Sequence, residues 1–108
     1  MVDFGFEEMQ AIQRELQDKY KDKWKKLSPE VGKEKLLWLM VELGEVADVL
    51  KKKGVRSIVE EPEVRKDFLE EMCDVLMYYN DVMICYDISI EELKEAYRKK
   101  HERNMSRW

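Results

Sequence analysis

Apolar residues recur every three or four positions through the first quarter of the chain, at Phe4, Phe6, Met9, Ile12, Leu16, Tyr20, Trp24 and Leu27. Such steps keep side chains on one side of a 3.6-residue helix, so this stretch predicts an amphipathic helix. Asp3 is placed to cap its start, and Ser28-Pro29 to end it. A second helix is predicted from about Val31 to Lys53. It stops at Gly54, a residue free to take the left-handed conformation that closes a helix. The stretch VRSIVEEP reads as a connector with room for a short helical turn. A third helix begins near Pro62 or Glu63, since proline is tolerated in a first turn. Its apolar positions, among them Val64, Phe68, Met72, Val75, Leu76, Tyr79, Val82 and Met83, carry it to about Tyr86. The fourth follows Asp87-Ile88, where Ser89 and Glu92 have the spacing of a capping box, and runs through Leu93, Tyr97 and Lys100 toward the end.

Nothing in the pattern suggests strands, so the expected fold is all-α, a four-helix-type bundle. Helices two and three are apolar on nearly every side. A helix of that kind is buried all round, which four helices of one small chain can hardly achieve. The bundle is therefore expected to be completed by self-association, as a homodimer or a dimer of dimers.

Composition narrows the picture. A length of 108 residues fits one domain, residues 1–108, with a single core. The chain is 44% hydrophobic and 41% charged with only four Gly and two Pro, which favours a helical bundle over a sheet protein. A net charge of −4 argues against a general nucleic-acid binder. No apolar run approaches the roughly 20 residues of a membrane span. The beginning, MVDFGFEEMQ, lacks the pattern of a signal peptide, so a cytoplasmic setting is expected. Cys73 and Cys85 fall in one predicted helix about 18 Å apart, too far for a disulfide, and read as reduced, half-buried thiols. The only His is His101, and no nucleophile motif surrounds either thiol.

Two acidic pairs stand out: Glu42 and Glu45 in LLWLMVELGEVADVL, and Glu71 and Asp74 in FLEEMCDVLMYYNDVM. Spacing alone does not distinguish them, because Asp or Glu recurs at i, i+3 seven times, at 15/18, 42/45, 45/48, 60/63, 67/70, 71/74 and 92/95. Their apolar setting does. Carboxylates there are costly unless neutralised, and four of them on two helices can hold a divalent cation. An all-oxygen set suits Mg²⁺ or Mn²⁺ rather than Zn²⁺. Pairing with Lys or Arg across the bundle or an interface would neutralise them equally well. On the last helix, Lys100, Asn104 and Arg107 share a face and suit phosphate oxygens. They also read as a basic, solvated end that complements the helix dipole.

Glu-x-x-Glu, a gap of 25 residues, then Glu-x-x-Asp resembles the signature of the MazG-like all-α nucleotide pyrophosphohydrolases. LMVELGEVADVLKKKG is similar to the first metal helix of that family, and FLEEMCDVLMYYNDV to its second. Lys100-x-x-x-Asn104-x-x-Arg107-Trp108 resembles the ending of dCTPase-like members, and Trp24 sits where such members often carry a Trp. The likeness spans roughly residues 20 to 108. It implies hydrolysis of a nucleoside triphosphate to monophosphate and pyrophosphate with Mg²⁺, as a house-cleaning activity. By position, Glu42, Glu45, Glu71 and Asp74 would be the metal ligands. Tyr78 would face sugar or base, and Lys100, Asn104 and Arg107 would hold phosphates and ribose, from a neighbouring subunit if need be. Trp24 or Trp38 would stack on the base, although Trp38, inside the apolar run, reads as an ordinary core aromatic. Glu45 is the candidate general base. Two other readings stay open: a non-catalytic helical oligomerisation module, and a phosphoribosyl-ATP pyrophosphatase-like hydrolase.

Overall fold

The computed structural model describes residues 4–108, and within them the fold is all-α: five helices and no strand. The expected Asp3 cap lies outside the described residues. Helix α1 spans Phe6–Lys19, α2 Pro29–Lys53, α3 Ser57–Glu60, α4 Pro62–Cys85 and α5 Ile90–Arg107. The single turn α3 occupies the connector where a short helical turn was expected.

α1 is shorter than its apolar spacing implies. It ends at Lys19 rather than at Leu27. Lysines at 19, 21, 23, 25 and 26 would lie one turn apart on a continued helix and repel. Instead the chain turns, with Lys23 N and Trp24 N both donating to Tyr20 O at 2.9 and 2.8 Å. The Tyr20 and Trp24 rings stack with centroids 4.6 Å apart. This turn brings Trp24 beside α2 and α4.

The ends of α2 and α5 follow from single residues. Lys51, Lys52 and Lys53 fill the last turn of α2, where positive charge opposes the helix dipole. Gly54 follows at φ 84°, ψ 156°, so the chain leaves in an extended direction rather than the left-handed helical one. Ser57 Oγ then donates to Lys53 O and Gly54 O at 2.6 and 2.8 Å, satisfying carbonyls that the helix end leaves open. At α5 the capping box forms as its sequence requires: Glu92 N donates to Ser89 Oγ and Ser89 N to Glu92 Oε2, each at 3.1 Å.

α2 and α4 share by far the largest interface, and α1 and α3 pack on α4. Val46, Val64, Val82 and Cys85 are buried along it. The seam between α1 and α4 is polar instead, with Gln10, Gln13, Asn80 and Asp81 all buried. Gln13 Nε2 donates to Asp81 Oδ1 at 2.9 Å, and Asn80 Nδ2 donates to Leu76 O at 2.9 Å. α5 has no buried residue, and Lys94 at its start ties it to α1 by donating to Glu7 Oε1 at 2.7 Å.

Two expectations are corrected by this packing. Trp38 is 47% exposed and is not a core aromatic: it lies one turn from Lys35 and Glu42, at a position of α2 that the packing leaves open to solvent. The thiols are not alike: Cys73 is exposed and Cys85 is 2% exposed, both free. The outer face of α2, opposite the seam, presents Leu36, Leu37, Met40, Val41 and Leu43 to solvent. The radius of gyration is 16.4 Å, against about 13 Å for a compact chain of this length.

Gly54 is the one described glycine at positive φ. Gly54→Ala is expected to lower unfolding stability by about 1–3 kcal/mol through backbone strain alone, read by urea denaturation followed by circular dichroism. Unchanged stability would mean the α2 end relaxes freely.

Candidate metal centre and adjoining cleft

Glu42 sits on the side of α2 that faces α4, two turns after Lys35 on the same side. α4 answers with Glu71 and Asp74, one turn apart. The three residues each offer a carboxylate oxygen within 4.8 Å of the others, and all three are half-buried. Among the described residues, no Lys or Arg lies within ion-pair distance of them. The eight salt bridges among the described residues all use other acids, such as Asp48 with Lys52 at 2.8 Å. Partial burial, then the charges of Asp74, Glu71 and Glu45, push Glu42 above its ordinary carboxylate value, and a hydrogen bond with Glu71 adds to this. Three acids crowded without a counter-charge fit a hard divalent cation, since every donor is oxygen.

Glu45 is exposed and stands outside this three-carboxylate group. Its position one turn along α2 leaves its charge close enough to act on Glu42 and on Lys52. Of the four acids expected as ligands, Glu42, Glu71 and Asp74 come together, and the exposed Glu45 is not among them.

From Asp74 a line of polar residues continues along α4 at steps of four and three, through Tyr78 to Asp81. Asp74 and Asp81 are two turns apart, about 10.5 Å along the helix axis. Burial, then the charges of Glu42, Asp81 and Asp74, raises the Tyr78 phenol. Lys35 Nζ lies 5.7 Å from the centre of the Tyr78 ring and 4.0 Å from Asp81 Oδ2. Asp81 is 4% exposed, and burial raises its carboxyl while Gln13 and Lys35 partly oppose that rise. A carboxylate only accepts, so the Gln13 amide must turn its nitrogen toward Asp81. That leaves Gln13 Oε1 enclosed without a partner, an arrangement costing about 1–3 kcal/mol.

These residues border a cleft of about 490 Å³ lined from α1, the 20–28 segment, α2 and α4. That volume falls within the roughly 300–1,000 Å³ typical of small-molecule sites. Asp74, Trp24, Lys23, Lys25, Lys35, Met77 and Tyr78 line it, together with the buried Gln13 and Asp81. Lys25 Nζ donates to Glu34 Oε2 at 3.3 Å, joining the Trp24 segment to α2 across the cleft.

The structure therefore brings together Glu42, Glu71, Asp74, Tyr78 and Trp24 of the expected site. It does not bring Lys100, Asn104 and Arg107 to them: no residue of α5 lines the cleft. Lys100 and Arg107 border a separate surface depression with Arg103, and Asn104 Oδ1 is enclosed without a partner. Trp38 also lies outside the cleft. Sequence reasoning missed Gln13, Lys35 and Asp81. The signal was there for two of them, since Lys35 precedes Glu42 by seven and Asp81 follows Asp74 by seven on the same buried faces. Comparison with protein-family models, curated proteins and solved structures found no match to this chain.

The crowding of Glu42 has a pH signature in metal-free protein. A carboxyl raised on folding binds more protons in the native state, so stability falls as pH rises from the ordinary carboxylate range through the raised value. Glu42→Gln removes that loss. In EDTA its melting temperature is expected to exceed that of the unmodified protein at neutral pH, with the difference shrinking as pH falls. A variant less stable at every pH would show that Glu42 has a counter-charge.

Proposed function

We infer that this protein is a Mg²⁺-dependent nucleotide pyrophosphohydrolase, cleaving a nucleoside triphosphate with water into the monophosphate and pyrophosphate. The observation that carries the reading is the meeting of an unpaired acidic cluster with a cleft holding aromatic and cationic side chains. Carboxylates alone suit many cations. Beside Trp24, Tyr78 and Lys35 they suit a cation that arrives with a phosphate chain and a ring. The likeness of both acidic motifs to the MazG-like enzymes supports the same reading, and a house-cleaning role on the nucleotide pool in the cytoplasm is part of the proposal.

In this reading Glu42, Glu71 and Asp74 hold the cation. When bound, Mg²⁺ supplies charge neutralisation on the phosphates and acidifies the attacking water. Glu45, exposed and free of the ligand group, takes the water's proton as general base. Lys23, Lys25 and Lys35 offer point charges to the phosphate chain. Trp24 stacks on the base and Tyr78 lies against sugar or base. Binding aligns the triphosphate for attack, and positioning together with charge stabilisation carries the remainder of the chemistry.

Lys100, Asn104 and Arg107 reach a cleft only if a second copy supplies them, and a homodimer or dimer of dimers is part of the reading. Support comes from the apolar outer face of α2 and from the extended shape with α5 hardly attached. A soluble monomer seldom exposes so continuous an apolar surface. No described helix is long and apolar enough to cross a membrane.

Two outcomes are expected. With Mg²⁺ and a panel of NTPs, dNTPs and phosphoribosyl-ATP, the protein releases pyrophosphate from at least one triphosphate, and Glu71→Gln abolishes release. Glu45→Gln slows turnover by about 10²-fold or more yet keeps the thermal stabilisation that Mg²⁺ confers. Orthophosphate as product, or no turnover of any substrate, overturns the reading in favour of different chemistry or a binding module. Light scattering at micromolar concentration is expected to give at least twice the 13.1 kDa of one chain. A mass of one chain would remove the shared-site part of the account.

A further inference from the structure

The three most exposed large apolar side chains among the described residues all belong to α5 and the residue that closes it: Tyr97 at 76%, Met105 at 73% and Trp108 at 90%. With His101 they follow one another at steps of four, four and three, so they form one stripe along the helix. Apolar residues scattered singly over a surface are ordinary. A stripe of them on a helix with no buried residue marks a face that meets something else.

Charge on this helix is equally uneven. Arg98, Lys99, Lys100, Arg103 and Arg107 accompany a single acid, Glu102, in a chain whose net charge is −4. Of the five, only Lys99 has an ion pair among the described residues, with Glu95 at 3.1 Å. By helical position Arg98 borders the stripe on one side, and Lys100 and Arg107 on the other. Lys100, Arg103 and Arg107 alone line a hollow of about 410 Å³. The Arg107 guanidinium lies 5.3 Å from the centre of the Trp108 ring, so the cationic and apolar surfaces are continuous.

A free phosphate would satisfy these cations and leave Tyr97, Met105 and Trp108 in water. An anionic bilayer meets both surfaces at once. Its headgroups carry the phosphates and carboxylates that Lys and Arg pair with, and its acyl boundary takes the stripe. Tyr and Trp, apolar rings with a polar edge, suit that boundary. We propose that α5 is an interfacial helix that binds the headgroup region of an anionic lipid bilayer. It lies along the surface rather than through it, since no described helix is long and apolar enough to cross. This attachment is independent of any hydrolysis in the cleft. Lys100 and Arg107, which the hydrolytic reading also uses, are left unaltered in the test.

The full chain is mixed with vesicles of phosphatidylcholine alone or with about one third phosphatidylserine, and binding is read by flotation. At least tenfold stronger binding to the anionic vesicles is expected. Trp108→Ala, and separately Arg98→Glu with Arg103→Glu, are each expected to weaken it by tenfold or more. Lys51→Glu with Lys53→Glu makes the same change of net charge on α2 and is expected to leave binding within twofold. In unmodified protein, lipids brominated near the headgroup are expected to quench tryptophan fluorescence, a readout that needs no variant. Equal binding to both vesicles, binding kept in Trp108→Ala, or absence of quenching overturns the proposal. Release by inorganic phosphate but not by sodium chloride at equal ionic strength also overturns it, showing a phosphate site alone. No vesicle binding, with a smaller mass by light scattering in Trp108→Ala, overturns it in favour of a contact between copies.

Discussion

Mutual repulsion among Glu42, Glu71 and Asp74 is the constraint on which the account depends. Three carboxylates within 4.8 Å of one another, half-buried and with no neighbouring Lys or Arg among the described residues, are a standing cost to the fold. α2 and α4 accept that cost at the centre of their shared seam, where apolar packing by residues such as Val46 and Val64 holds the two helices together regardless. A salt-bridge explanation needs a counter-charge, and none of the described residues supplies one. A divalent cation removes the repulsion at once and converts the cost into a binding energy.

The same seam organises the rest of the cleft. Helical periodicity extends the polar line from the acidic cluster through Tyr78 to Asp81 on α4, and back to Lys35 on α2. The turn that ends α1 early sets Trp24 opposite that line. The cleft therefore combines acidic, aromatic, cationic and hydrogen-bonding side chains.

Much of this was legible in the sequence, for identifiable reasons. Helix starts and stops came from local chemistry, which acts over a few residues: Pro62 in a first turn, Gly54 at an end, and the Ser89 and Glu92 box; Pro29, read as the end of the first helix, instead opens α2. The acidic pairs were visible because charge inside an apolar run is unusual. The end of α1 was not, since the spacing of Tyr20, Trp24 and Leu27 continues a helical period that five lysines oppose electrostatically. The exposure of Trp38 was misjudged because an apolar run does not say which of its sides meets the partner helix. Gln13 was invisible for a different reason: its role depends on Asp81, a residue 68 positions away in sequence. The placement of Lys100, Asn104 and Arg107 away from the cleft could not be read from a helix face, since that face does not reveal which copy it serves.

The central claim is that the α2–α4 acidic cluster is a cation site, and Mn²⁺ titration followed by electron paramagnetic resonance addresses it most directly. The account predicts saturable loss of the free-ion signal, displacement by excess Mg²⁺, and no saturable binding in folded Glu71→Gln. Saturable binding that persists unchanged in that variant, or none in the unmodified protein, would contradict it.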